Sequence, residues 1–140
     1  MLTILRPAIT TTVLLPFYSS KISAGFPSPA DDYVEDKLDL NQLLIHNKPA
    51  TYLVRVSGQS MQGAMIADGD LLVVDASIKP TDGKIVVASV DGEFTVKRFM
   101  IQKGKAWLQP ENPEFSPIPI NTDDDFSIFG VVTGVVRQIK

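Results

Sequence analysis

The chain has 140 residues, a formal net charge of −3, no cysteine and one histidine. With 44% hydrophobic and 21% charged residues, its composition is that of a single globular domain rather than a disordered segment. The lack of cysteine excludes a disulfide framework, a thiolate nucleophile and Cys-ligated metal, and a pI near 5.0 argues against a broad basic grip on nucleic acid.

In chain order, residues 1–30 stand apart. They hold four of the ten prolines (Pro7, Pro16, Pro27, Pro29), together with Thr10-Thr11-Thr12 and Ser19-Ser20, and show no sustained periodicity. This reads as an extended N-terminal arm, followed by a β domain over residues 31–140. No apolar run approaches the roughly 18–20 residues that a spanning helix needs. Arg6 and the small residues Ser23-Ala24-Gly25 mimic parts of a signal peptide, but Pro16 breaks the apolar stretch, and a soluble cytoplasmic protein with no membrane association is expected. Asp39-Leu40-Asn41-Gln42-Leu43-Leu44-Ile45 predicts one short helix, with Asp39 placed to cap it and Gln42 three residues on. His46 follows at the helix end, the setting of an ordinary surface histidine. A single histidine cannot build a multi-His metal site, and no metal or other cofactor is expected.

From residue 50 the pattern turns to strands. Thr51–Val56 alternates Tyr52, Val54 and Val56 onto one face, and Leu71–Val74 is a fully apolar run after the turn Asp68-Gly69-Asp70. Ile85–Val90 and Glu93–Lys97 flank Asp91-Gly92, a pair suited to the two positive φ angles of a tight hairpin. Lys105–Leu108 and Ile128–Ile139 supply further strands, the last expected to break at Gly130 and Gly134. Asp123-Asp124-Asp125 reads as a solvated loop, and Asp68 and Asp70 as turn residues. The fold class is therefore mainly β, with one or two short helices.

Ser57-Gly58-Gln59-Ser60-Met61 follows a β-rich run and precedes Gln62–Ile66, which suits a helical turn. Ser60 would sit at a strand-to-turn junction beside backbone N–H groups able to stabilise an oxyanion, and Gly58 would let a substrate backbone approach. The motif alone is common in ordinary loops. A serine nucleophile also needs a base. Period-2 geometry puts Thr95, Lys97, Phe99 and Ile101 on one strand face, where Lys97 could be partly buried. Burial lowers a lysine pKa, which suits a general base, and Thr95 could aim the amine. The competing reading is an edge-strand lysine that discourages aggregation.

The order Ser-Gly-x-Ser-Met, then Asp-Gly-Asp, then Thr-Val-Lys-Arg after an Asp-Gly hairpin resembles the LexA/UmuD group of self-cleaving serine peptidases. The resemblance extends to Ala24-Gly25-Phe26-Pro27-Ser28-Pro29, to the Asp39–Ile45 stretch and to Phe129-Gly130-Val131-Val132. It implies a LexA-like C-terminal-type β domain in which Ser60 is the nucleophile and Lys97 the neutral base, with Ser57, Gly58, Met61 and Thr95 in support. The scissile bond would be Ala24–Gly25 in the chain's own arm. It further implies cleavage stimulated by RecA filaments on single-stranded DNA. The shortened product would be a homodimer serving a UmuC-type translesion polymerase, with no strong nucleic-acid binding of its own. The residues before Ala24 hold no convincing helix-turn-helix, so a DNA-binding repressor is not expected. Signal peptidases with a Ser-Lys pair need a membrane anchor that is not found here. The alternative is a non-cleaving β domain that binds a polymerase or a RecA filament as a regulatory module.

Overall fold

The computed structural model describes residues 3–5, 7, 12–18, 34–121 and 125–140. The chain forms two compact units, residues 1–7 with 47–140, and residues 8–46. The expected boundary between arm and domain, at residues 30–31, lies outside the described residues, as do Asp123 and Asp124.

Strand β1 (Thr3–Leu5) belongs to the larger unit, while β2 (Leu15–Tyr18), β3 (Val34–Leu38) and helix α1 (Leu40–Leu44) belong to the smaller one. The stretch read as an extended arm contains two strands among its described residues, β1 and β2. Short extended segments need no long periodicity once a neighbouring strand accepts their backbone hydrogen bonds. β2 pairs antiparallel with β3, with a bulge between Phe17 and Tyr18. Asp39 caps α1 as its sequence position suggested, its carboxylate accepting the Asn41 N–H at 3.0 Å.

The larger unit continues through β4 (Thr51–Arg55), β5 (Leu71–Asp75), β6 (Ile85–Val90), β7 (Glu93–Gln102), β8 (Lys105–Gln109), β9 (Ile118–Pro119) and β10 (Phe126–Val136). With β1 they form one curled antiparallel sheet in the order β1-β4-β5-β10-β6-β7-β8-β9. The fold is mainly β and LexA-like, as expected. Strand β10 pairs with β6 over its first half and with β5 over its second, so it joins the two sides of the sheet. Gly130 and Gly134 do not break this strand. Each ends a register shift, between Ile128 and Gly130 and between Val132 and Gly134, and such bulges bend a strand while keeping it paired. A Cβ on Gly130 would lie 2.7 Å from Val74 Cγ1 and 3.0 Å from the Asp75 carbonyl oxygen, so this crossing requires glycine.

The apolar residues divide between two clusters. Val54, Val56, Met61, Ile66, Leu72, Val74, Val87 and Val96 form the first, and Val86, Ala88, Phe99, Leu108 and Val131 the second. Val86 and Val87 are neighbours in β6 yet fall in different clusters, so both faces of that strand are buried. This explains why β6 reads as a continuous apolar run rather than an alternating one. At the β6–β7 turn, Asp91 (φ 50°) and Gly92 (φ 84°) both take the left-handed conformations predicted for that hairpin. A second turn of this kind, Lys103-Gly104 with φ of 51° and 74°, joins β7 to β8.

Asp70 is more than a turn residue. It is buried, with Oδ1 accepting from Arg137 Nε and Oδ2 from Arg137 Nη2, both at 2.7 Å. Its Oδ2 also accepts the Ala67 N–H at 2.8 Å. The hydrogen bonds from Arg137 outweigh burial and hold the Asp70 carboxyl below the usual carboxylate range. Because the folded-state pKa is depressed, the stabilisation is complete above the unfolded value of about 3.9 and is lost as pH falls through the folded value. Asp70→Asn should therefore lower the urea midpoint at pH 7, measured by Trp107 fluorescence, and the gap from wild type should close on acidification below about pH 4.

Candidate active site

The loop after β4 carries Ser60, and its backbone is oriented by specific contacts. Gly58 takes φ 103°, a conformation that favours glycine, and its N–H donates to Asp68 Oδ1 at 2.8 Å. Met61, 2% exposed, anchors the loop in the first apolar cluster. A 3₁₀ turn, Gln62–Ala64, follows where a helical turn was expected. The carbonyls of this loop are taken up by hydrogen bonds. Ser60 O accepts the Glu111 N–H at 2.8 Å, Gln59 O accepts Asn112 Nδ2 at 2.8 Å, and Met61 O accepts the Ala64 N–H at 3.0 Å. The N–H groups of Ser60 and Met61 take no partner among the described residues.

Lys97 approaches from β7. It pairs with Val86 across the β6–β7 ladder and shares a face with Thr95 and Phe99, while Val96 points into the first cluster. The edge-strand reading of Lys97 does not hold, because β7 lies between β6 and β8 and Lys97 is only 7% exposed. Its Nζ lies 2.8 Å from Ser60 Oγ, 2.7 Å from Thr95 Oγ1 and 3.1 Å from the Val96 carbonyl oxygen. No carboxylate is among these partners. Burial alone therefore pushes the Lys97 pKa down from its ordinary value. The three contacts suit a neutral amine well. Two N–H donors can reach Thr95 Oγ1 and Val96 O, which leaves the lone pair directed at the Ser60 hydroxyl.

The pair opens into a cleft of about 180 Å³ lined by Ser57, Gly58, Thr95, Phe94 and Phe115, among others. Phe94 and Phe115, each partly exposed, stand at this cleft. Phe94 also packs edge-on against Phe129, which in turn packs on Tyr52. Of the residues singled out in the sequence, the structure thus brings together Ser57, Gly58, Ser60, Met61, Thr95 and Lys97. Ala24 and Gly25 lie outside the described residues. His46 is exposed, as expected of a surface histidine. Sequence reasoning missed Glu111 and Asn112 as supports of the Ser60 loop, along with the two cleft phenylalanines. Pro110 marks a strand exit, but nothing local links that segment to a serine fifty residues earlier in the chain.

A curled antiparallel sheet presenting a serine hydroxyl to a buried lysine amine defines a serine-peptidase-type β domain. Comparison with known proteins agrees. The Peptidase S24-like family matches residues 16–133, and the chain belongs to that family as a UmuD-type member. Protein ImpA of Escherichia coli is 43% identical over 136 residues, covering 96% of this chain and 91% of that protein. Protein MucA of Escherichia coli is 46% identical over 120 residues, or 85% and 82% of the two chains. The LexA repressor of Pseudomonas chlororaphis is 42% identical over 119 residues, covering 84% of this chain and 58% of the repressor. Among the described residues, no helix is long and apolar enough to cross a membrane.

Holding an amine in this setting has a thermodynamic signature. The folded-state pKa of Lys97 is depressed, so the unfolded chain binds the proton more tightly, and stability rises with pH between the folded value and the unfolded value of about 10.4. Lys97→Met, which keeps most of the volume and removes the charge, should be more stable than wild type at pH 7 in urea unfolding. That advantage should shrink steadily as pH approaches 10.

Proposed function

We propose that this protein is an autocatalytic serine peptidase of SOS mutagenesis that cuts its own Ala24–Gly25 bond. The observation that supports this reading best is the 2.8 Å contact between Lys97 Nζ and Ser60 Oγ, made by an amine whose pKa burial has lowered. Neutral Lys97 takes the Ser60 proton as Oγ attacks the Ala24 carbonyl carbon. The resulting oxyanion can be met by the N–H groups of Ser60 and Met61, which take no partner among the described residues. The Lys97 ammonium then gives its proton to the Gly25 nitrogen, the C–N bond breaks, and Ala24 remains as an ester on Ser60. Water, deprotonated by Lys97, attacks that ester, and the bond from the acyl carbon to Ser60 Oγ breaks. Lys97 returns the proton to Oγ, and the released Ala24 carboxylic acid ionises at neutral pH.

Several features of the chain favour an internal substrate. Ala24 and Gly25 are small enough for a narrow cleft, and Pro27 and Pro29 favour an extended backbone. A scissile bond on the same chain also gains an effective concentration on the order of 10⁵ M when well oriented. In this reading the activator is a RecA filament on single-stranded DNA, which favours docking of the arm. The shortened chain is a cytoplasmic homodimer that serves a UmuC-type translesion polymerase. Its acidic balance fits contact with DNA through protein partners.

Incubation of the purified full chain at pH 9–10, where more lysine is neutral, followed by intact-mass measurement, tests the reading. Wild-type protein should slowly lose its first 24 residues without any activator, at a rate that rises with pH and levels off above the Lys97 pKa. Ser60→Ala and Lys97→Ala should each slow the reaction by about 10³-fold or more. A Ser60→Ala chain that clips as fast as wild type would falsify the mechanism. A wild-type chain that stays intact at every pH while still binding a polymerase would favour the non-cleaving regulatory module instead.

A further inference from the structure

Lys97 and Ser60 come from separate elements, β7 and the loop after β4, and one hydrogen bond does not fix the distance between two such elements. A second set of links spans the same gap. Arg98, next to Lys97 in β7, donates through Nε to Glu111 Oε1 at 2.5 Å and through Nη1 to the Gly83 carbonyl oxygen at 2.7 Å. The main chain of Glu111 then holds the Ser60 loop at the serine and again just after it. Its N–H donates to Ser60 O at 2.8 Å, and its carbonyl oxygen accepts the Gly63 N–H at 2.7 Å. The approach at Gly63 is so close that a Cβ there would lie 2.7 Å from the same Glu111 oxygen. Asn112 adds its Nδ2 bond to Gln59 O, which completes a grip on three successive parts of the loop.

We propose that the Arg98–Glu111 ion pair, with Asn112, positions Ser60 against Lys97. Glu111 and Arg98 are positioning residues that act through the Ser60 loop and are not among the partners of Lys97 Nζ. The inference rests on the reading of Ser60 and Lys97 as the reacting pair. The links form a closed ring, from Lys97 along the β7 backbone to Arg98, across to Glu111, through its main chain to Ser60, and back through Oγ to Nζ. Proton transfer needs donor and acceptor within about 2.6–3.2 Å, and a misplacement near 1 Å can cost about 10²-fold in rate. Both side chains of the ion pair are about 30% exposed. Their net contribution to global stability is therefore small, and their effect is concentrated on local geometry.

A small phosphorylating reagent, diisopropyl fluorophosphate, tests this without the arm. Ser60 Oγ displaces fluoride from phosphorus, Lys97 takes the hydroxyl proton, and the adduct is read by intact mass. Labelling rates are measured from pH 6 to pH 10 on the full chain, alongside urea midpoints. Glu111→Ala should lower the plateau rate about 10- to 100-fold while leaving the pH midpoint, set by Lys97, where it is in wild type. Glu111→Gln, which keeps an oxygen for Arg98 Nε to bond, should fall between the two. General loosening of the fold would instead expose Lys97 and move the midpoint up towards the ordinary lysine range, which would overturn the proposal. A Glu111→Ala rate within about twofold of wild type would overturn it as well. Labelling that persists at the full wild-type rate in Lys97→Ala would overturn the underlying reading of the dyad.

Discussion

Burying an amine without a carboxylate partner is the constraint around which this domain is organised. A lysine in such a place either keeps its proton at a large desolvation cost or gives it up. Lys97 is set in a strand with apolar clusters on both faces, and among the described residues its Nζ reaches two hydroxyls and one carbonyl oxygen. None of these partners carries a charge that would favour the ammonium. The environment that makes the residue costly to the fold also lowers the pKa of its amine, which is what the proposed reaction asks of a base.

The rest of the larger unit supports that arrangement. Strand β6 is buried on both faces, which places the residues opposite β7 in the interior. The two bulges of β10 let one strand close both sides of the sheet. Opposite Lys97, the Ser60 loop is held by Met61 in the core, by Asp68 at Gly58 and by the Glu111–Asn112 segment. Asp70 and Arg137 tie the end of the same connection to the region just after β10, away from the dyad. Charge is thus handled in two ways within one small domain. At Asp70 a carboxylate is kept ionised by a bidentate guanidinium, whereas at Lys97 burial biases an amine towards neutrality, with no carboxylate partner among the described residues.

Much of this was legible in the sequence, where the signal is local. Asp91-Gly92 announced its hairpin because both residues need positive φ, and the two-residue spacing of Thr95 and Lys97 put a hydroxyl beside the amine. Asp39 announced its cap in the same way. Lys103-Gly104 carries a weaker form of the hairpin signal, since lysine is not a usual first residue of such a turn, and it went unread. The misread features depend on partners distant in the chain. Asp70 looks like a turn residue until Arg137, sixty-seven positions later, is brought to it. Gly130 and Gly134 look like strand breakers until the register against β5 and β6 shows them at bulges. Glu111 and Asn112 could not be linked to Ser60 by any spacing rule, because their contacts run mainly through backbone groups that every residue possesses.

The central claim is that burial makes Lys97 give up its proton at a lower pH than an ordinary lysine. Lysine Cε chemical shifts, followed by NMR in the full-length Ser60→Ala protein labelled with ¹³C-lysine, report each titration separately, and Lys97→Arg assigns the resonance. The account predicts one lysine titrating below the others, with its midpoint under the ordinary value of about 10.4. A Lys97 resonance that titrates together with the surface lysines would contradict it.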